Sequence, residues 1–303
     1  MNNWISFSPH IKEKCSVNKI YLMFILAAVP MAFDGIIKYG WSAAIVVASS
    51  ILTALFCELI CNLALYKKFE LKEISSVYTG LLIGIVMPPL VPFWMPMIGS
   101  AFAIVFVKAL AGGTGKNYIS EVAAAKVLLA VMFGANFFKF VDPVSKLASV
   151  SLLDAVKLDP NVKIDYLNLF LGNTAGAIGE TGLLYILIGG AFLCVTKVVD
   201  YKLPLSYLLT TFGVSYLLCG LNVAIILTSS VSLVAFFVIT DYASSPNSGV
   251  AKLIYGIMLG IVTALLFKFG SYACAGYYAA IIGGLIYSAI KGCLLPTKKI
   301  VKL

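Results

Sequence analysis

The chain has 303 residues, 61% of them hydrophobic and 12% charged, with a mean hydropathy of +1.01. Soluble domains carry about 25% charged residues, so this composition excludes a soluble enzyme and places the chain in a bilayer. The formal charge of +9 comes from lysine alone; these lysines sit mainly in short loops, where they set membrane topology rather than grip nucleic acid.

Residues 1–19 carry Ser8-Pro9-His10 and run into an apolar segment without a small-residue cleavage site, so no signal peptide is expected. Apolar windows of bilayer-spanning length then recur. They predict ten helices over 20–38, 42–66, 75–88, 95–112, 119–139, 182–198, 203–219, 221–240, 250–268 and 273–291. Backbone in lipid must satisfy itself, and the windows lack the strict alternation of barrel strands, so the fold class is an all-α polytopic membrane protein. The expected organisation is a five-helix half over 1–140, an outward connecting segment over 141–181 and a second five-helix half over 182–303. With ten spans, Lys12, Lys14, Lys19, Lys67, Lys68, Lys72, Lys116, Lys197, Lys202, Lys252, Lys291, Lys298, Lys299 and Lys302 share the side of the N-terminus. The positive-inside rule makes that side cytoplasmic and puts both termini there.

Two spans break in matching places. The third ends in Met87-Pro88-Pro89, the eighth in Thr240-Asp241-Tyr242-Ala243-Ser244-Ser245-Pro246, and each is followed by a helix with lysine near its end. Five helices is an odd number, so the second half would be inverted on the first, and paired interrupted spans point to an inverted-repeat fold.

Side chains for catalysis are scarce, and no catalytic residue is assigned. His10 is the one histidine and lies in the N-terminal segment. Glu58 lies deep in a predicted span and is a functional candidate by default. Lys108 and Lys126 either snorkel or pair with a carboxylate. The seven cysteines show no CxxC spacing, and no metal site is assigned. Ala111-Gly112-Gly113-Thr114-Gly115-Lys116-Asn117 lacks the spacing of a P-loop and follows a helix rather than a strand. The glycine-rich stretch from Gly172 through Gly176, Gly179, Glu180 and Thr181 to Gly182 stands where the chain re-enters an apolar run. A helix cap and a ligand-lining loop both fit it.

Several motifs together resemble the D-subunit family of Rnf electron-transport complexes and the related B subunit of Na⁺-translocating NADH:quinone reductases. They are Ser8-Pro9-His10, Leu81 to Trp94 with its double proline, Gly112-Gly113 with Gly115 and Asn117, Gly172-Asn173 with Gly176, Gly179-Glu180-Thr181, Thr240-Asp241 with Ser245-Pro246, and Tyr255-Gly256. The resemblance implies a ten-helix inverted-repeat subunit in a bacterial inner membrane. It would relay electrons through a flavin, FMN or riboflavin, in a complex that couples redox chemistry to Na⁺ or H⁺ transport. Its partners would be the other membrane and peripheral subunits and the lipid bilayer, with no nucleic acid. Flavin-site candidates are Gly172, Gly176, Gly179, Glu180, Thr181, Thr240, Asp241, Ser244, Ser245 and Pro246.

Two departures stand out. Where the family joins a threonine to FMN just before a proline, this chain has Asp159 before Pro160, so the expectation is flavin held without a covalent bond. The family's Asn-Pro-Ala-Met-like run after Asn117 is replaced by Tyr118-Ile119-Ser120-Glu121-Val122-Ala123. The alternatives are a divergent scaffold or ion-conducting subunit without a redox role, and a small-solute channel or transporter.

Overall fold

A computed structural model describes residues 17–66, 74–113, 115–143, 145–149, 165–220, 230–241, 244–246, 248–269 and 274–294. The predicted helix over 221–240 therefore lies partly outside the described residues. The helices are α1 (Val17–Tyr39), α2 (Trp41–Tyr66), α3 (Ser75–Val86), α4 (Trp94–Phe102), α5 (Glu121–Phe133), α6 (Tyr166–Leu171), α7 (Leu183–Val195), α8 (Lys202–Cys219), α9 (Ser230–Leu233), α10 (Gly249–Phe269) and α11 (Ala275–Leu294). Two of them change pitch: α4 continues as a π-helix over Ala103–Ala109, and α9 over Val234–Val238. A short antiparallel pair, β1 (Phe140–Val141) and β2 (Ala148–Ser149), sits in the connecting segment.

Among the described residues three helices, α1, α2 and α10, are long and apolar enough to cross a membrane, and α3, α4, α7 and α11 are shorter apolar helices. Polarity is distributed as in a bilayer protein. Leu52, Phe56 and Leu63 on α2, and Val250 and Ile254 on α10, face outward, whereas Glu58, Lys108, Glu121, Lys126 and Glu180 are buried. Water would favour the reverse; lipid favours apolar outer faces with ionisable groups paired inside.

Small residues set the closest helix pairs. A Cβ on Gly80 or Gly84 of α3 would lie 2.8 Å from the Cα of Ile51 or Val47 on α2. Gly256 and Gly260 of α10 lie just as tightly against Ser206 and Thr210 of α8. Both pairs follow the small-xxx-small spacing by which lipid-embedded helices approach. Ser50 of α2 donates to the Gly80 carbonyl at 2.5 Å and meets Ser100 of α4 at 3.0 Å, tying three helices at one point. Across the halves, α1 packs on α7 and α5 on α11. One apolar core therefore runs from Phe24 and Leu82 to Phe237 and Tyr277.

The predicted span over 119–139 ends early. Gly134, with φ of +49°, closes α5 at Phe133, and a 3-10 turn over Gly134–Asn136 follows. Helix α6 lies within the segment expected to connect the two halves; Asp165 caps it by accepting from the amides of Leu167 and Asn168.

Candidate functional site

Helix α3 is short and buried on nearly every side, and polar groups gather at its start, middle and end. At its start Ser75 and Ser76 accept from the Lys108 ammonium at 2.7 and 2.8 Å, and the same ammonium meets Glu58 Oε1 at 3.0 Å. Lys108 lies in the π-helical segment after α4, a widened turn of the kind found at functional positions. Glu58 is thus paired, and Lys108 does not snorkel.

In the middle of α3, Thr79 donates to Glu121 Oε2 at 2.5 Å, Asn117 donates to Glu121 Oε1, and Tyr78 donates to the Phe237 carbonyl at 2.9 Å. Glu121 opens α5, and its partners are neutral donors. Sequence alone gives Glu121 no role, because it stands at the entry of a predicted span. Its one signal there is its place in the run that departs from the family pattern after Asn117.

At its end α3 runs into Pro88 and Pro89, which have no N–H to donate to its last carbonyls. The glycine-rich stretch supplies the donors instead: Gly179 N–H donates to the Ile85 carbonyl at 2.9 Å and Ile178 N–H to that of Met87 at 3.0 Å. This needs contact too close for side chains. A Cβ on Gly179 would meet Ile85 Cγ2 at 2.0 Å, and one on Gly182 would meet Asp34 Oδ2 at 2.9 Å. Gly172, with φ of +77°, caps α6 in the left-handed conformation. Gly176 packs against the Thr181 methyl group, and the Thr181 hydroxyl is buried with no hydrogen-bond partner among the described residues. In this geometry the stretch caps a neighbouring helix, α3.

The stretch also delivers Glu180 to the interior. Its carboxylate pairs with the ammonium of Lys126 on α5 and accepts from the hydroxyl of Tyr277 on α11 at 2.5 Å. That ammonium lies 4.2 Å from the centre of the Tyr277 ring, within cation–π range.

Thr240 and the residues after it lie elsewhere. Thr240, Ser245 and Pro246 line a cavity of about 130 Å³ together with Phe24, Asp200 and Lys252. The Ser244 and Ser245 amides turn back onto the Asp241 carbonyl at 3.3 and 3.1 Å. Asp200, in the turn before α8, pairs with Lys252 at 3.3 Å. Burial opposes its charge, but the Lys202 amide and the Lys252 and Lys202 ammonium groups outweigh this and hold its carboxyl below the usual range. Asp241 lines a different, water-sized cavity beside Glu121.

The candidate flavin residues therefore form two groups. Thr240, Ser245 and Pro246 stand beside Ile20 and Phe24 near the start of α1. Ile178 and Gly182 stand beside Gly35 and Asp34 near its end, roughly 20 Å away at 1.5 Å per residue.

Apolar outer helix faces, buried lysine–carboxylate pairs and interrupted helices define a polytopic membrane protein built around internal polar sites. The NQR2, RnfD, RnfE family model matches residues 4–298, and the chain belongs to that family. It is 33% identical over 281 residues to the D subunit of the Na(+)-translocating ferredoxin:NAD(+) oxidoreductase complex of Acetobacterium woodii, covering 90% of this chain and 87% of that one. It is 29% identical to the D subunit of the ion-translocating oxidoreductase complex of Methanosarcina acetivorans, over 96% and 95% of the two chains. Identity to the protein of the same name from Shewanella amazonensis is 30%, over 96% of each.

Proposed function

We propose that this chain is the D-type membrane subunit of an Rnf/Nqr-type complex that couples redox chemistry to Na⁺ or H⁺ translocation. The observation that carries the reading is the match over residues 4–298, with relatives named as subunits of ion-translocating oxidoreductase complexes. The buried pairs Glu58–Lys108 and Glu180–Lys126 support it, since ionisable groups inside a membrane mark ion and proton pathways. So do the interruptions after α3 and after the π-turn of α9, at corresponding places in two proposed inverted halves of ten spans. The lysine distribution supports cytoplasmic termini in the cytoplasmic membrane. The other subunits of such a complex are the proposed partners, seated with lipid against the exposed apolar faces.

The flavin proposed from the resemblance would need more room than the described candidate residues leave. The glycine stretch is filled by α3 and α1, and a cavity of about 130 Å³ beside Thr240 is smaller than the roughly 300–1,000 Å³ of small-molecule sites. That small cavity, with Asp159 in the threonine's place, favours a second reading in which this chain conducts the ion or scaffolds the complex while redox groups lie on its partners.

The test is to reconstitute the complex with and without this chain in sealed vesicles. Redox-driven ion uptake is expected to require the chain. Unchanged uptake in its absence, or passive solute flux through the chain alone, overturns the proposal. A flavin spectrum in the purified chain separates the two readings.

A further inference from the structure

Four carboxylates are buried among the described residues: Asp34, Glu58, Glu121 and Glu180. Three hold a lysine, namely Asp34 with Lys38, Glu58 with Lys108 and Glu180 with Lys126. Glu121 has neutral donors, Thr79 and Asn117, and no ion pair among the described residues. It is 8% exposed, and an uncompensated buried carboxylate is costly. Its place at the start of α5 sets it beside the positive pole of the helix dipole. A dipole worth about half a charge does not replace a counter-ion.

Three further observations point to what completes the site. The carboxylate borders a cavity of about 10 Å³, room for about one water-sized occupant. The carbonyl oxygen of Asn117, on the amide whose nitrogen donates to Glu121, is buried with no hydrogen-bond partner among the described residues, the side chain being 5% exposed. An orphan acceptor beside a carboxylate calls for a cation or a donor. The opposite wall of the cavity is Phe237 and Asp241, where the π-turn of α9 ends. The end of an interrupted helix carries the negative pole of its dipole, as in sites for Na⁺ or H⁺; the Phe236 and Phe237 carbonyls there accept from Thr240 and Tyr78.

The groups facing Glu121 are Asp241 from beyond α9, Tyr21 from α1 and Tyr78 from α3. Lys126, further along α5, is taken by Glu180, and the Tyr78 hydroxyl by the Phe237 carbonyl. Among the described residues the lining supplies no ammonium group to Glu121.

We propose that Glu121, oriented by Asn117 and Thr79, forms a binding site for one small cation, Na⁺ or H⁺, at the end of the interrupted helix α9. The proposal rests on the ion-translocating reading and assigns that reading a residue. Thr79 and Asn117 orient the carboxylate, and the water-sized cavity requires the ion to shed most of its shell, which excludes larger cations.

The assembled complex in native membranes is treated with the hydrophobic carbodiimide DCCD, and the peptide bearing Glu121 is read by mass spectrometry. Protection by Na⁺ at fixed pH, with choline inert, assigns Na⁺. Labelling that falls as pH rises, equally in Na⁺ and choline, assigns the proton. Glu121→Gln is expected to raise the Na⁺ concentration for half-maximal uptake at least tenfold, or to abolish the pH dependence of uptake. Thr79→Val, which keeps the charge, is expected to shift it severalfold and provides the variant result if Glu121→Gln does not assemble. Labelling of Glu121 indifferent to both Na⁺ and pH overturns the proposal, as does uptake unchanged in both variants. If the complex pumps while Glu121 is indifferent, the site fails and the functional reading stands. If Na⁺ protects Glu121 in a complex that does not pump, the functional reading fails and the site stands.

Discussion

Gly179 donates its amide hydrogen to the carbonyl of Ile85 at 2.9 Å, joining the glycine-rich stretch to the open end of a buried helix. Helix ends leave unpaired carbonyls, and in a lipid interior water is not at hand to satisfy them. The contact lies between the partners of a chain of buried polar groups: Glu180 is the next residue, and α3 carries Thr79 and Ser75 at its other contacts.

Gly179→Ala is expected to destabilise the chain by about 1–3 kcal/mol, the usual cost of forcing a methyl group into a packed interior. The added Cβ would lie 2.0 Å from Ile85 Cγ2 and 3.5 Å from Met31 Cβ, so α3 must move or the hydrogen bond must break. Thermal unfolding in detergent measures this. The double variant Gly179→Ala with Ile85→Val, which trims the clashing side chain, is expected to regain part of the loss.

The Lys126–Glu180 pair is expected to behave as a unit. Lys126→Met leaves the Glu180 carboxylate buried with the Tyr277 hydroxyl, and Glu180→Gln leaves the Lys126 ammonium over the Tyr277 ring. Each single change should cost about 3–5 kcal/mol, whereas replacing both removes charge from both sides and should cost much less than the sum. A double-mutant cycle on unfolding midpoints checks this, with additivity as the contrary result.

These two features differ in how far the sequence makes them legible. Some helix bounds follow from hydropathy to within a few residues: α2 is expected over 42–66 and spans Trp41–Tyr66, and α8 is expected over 203–219 and spans Lys202–Cys219, whereas α5, expected over 119–139, stops at Phe133. Chain breaks at prolines and glycines are local signals and show in the sequence. The polar pairs do not, because Lys126 meets Glu180 54 residues away and Lys108 meets Glu58 at 50. Tertiary packing chooses such partners, and no local pattern records them. The glycines at 172, 176 and 179 announce a close approach, but not that the approaching group is the end of α3. Glu121 escapes notice because a carboxylate at a helix start has an ordinary explanation in the helix dipole; only its lack of a lysine, visible in three dimensions among the described residues, sets it apart.

Asp200 links pH to the packing of α8 on α10. Against the opposing effect of burial, its carboxyl is held below the usual value by the Lys202 amide and the Lys252 ammonium. A depressed folded-state pKa adds stability that is present above the unfolded value of 3.8 and is lost as pH falls through the folded value. Exposure limits the effect, since the Asp200 side chain is 28% and that of Lys252 21% accessible; the pair is worth less than about 1 kcal/mol. Unfolding midpoints of the parent chain and Asp200→Asn should therefore differ at neutral pH and converge as pH falls below 3.8 and through the folded-state value. A constant difference across that range would remove the ion pair as its cause.

Residues 141–181 are expected to carry no covalent flavin. A phosphate ester of the kind the family makes needs a hydroxyl before the proline. Asp159 precedes Pro160 here, and its carboxylate forms no such ester and repels the phosphate. Ser151 is a nearby hydroxyl, but a valine precedes it and a leucine follows it, so it lacks the proline of the attachment motif. The purified protein should be non-fluorescent in a denaturing gel, and peptides covering 141–181 should have their unmodified masses. Introducing Asp159→Thr separates two causes. If the missing hydroxyl alone prevents attachment, the variant acquires the FMN increment when expressed with a flavin transferase. An unmodified variant means that the surrounding sequence has also lost recognition. An FMN increment anywhere on 141–181 of the parent chain defeats the expectation outright.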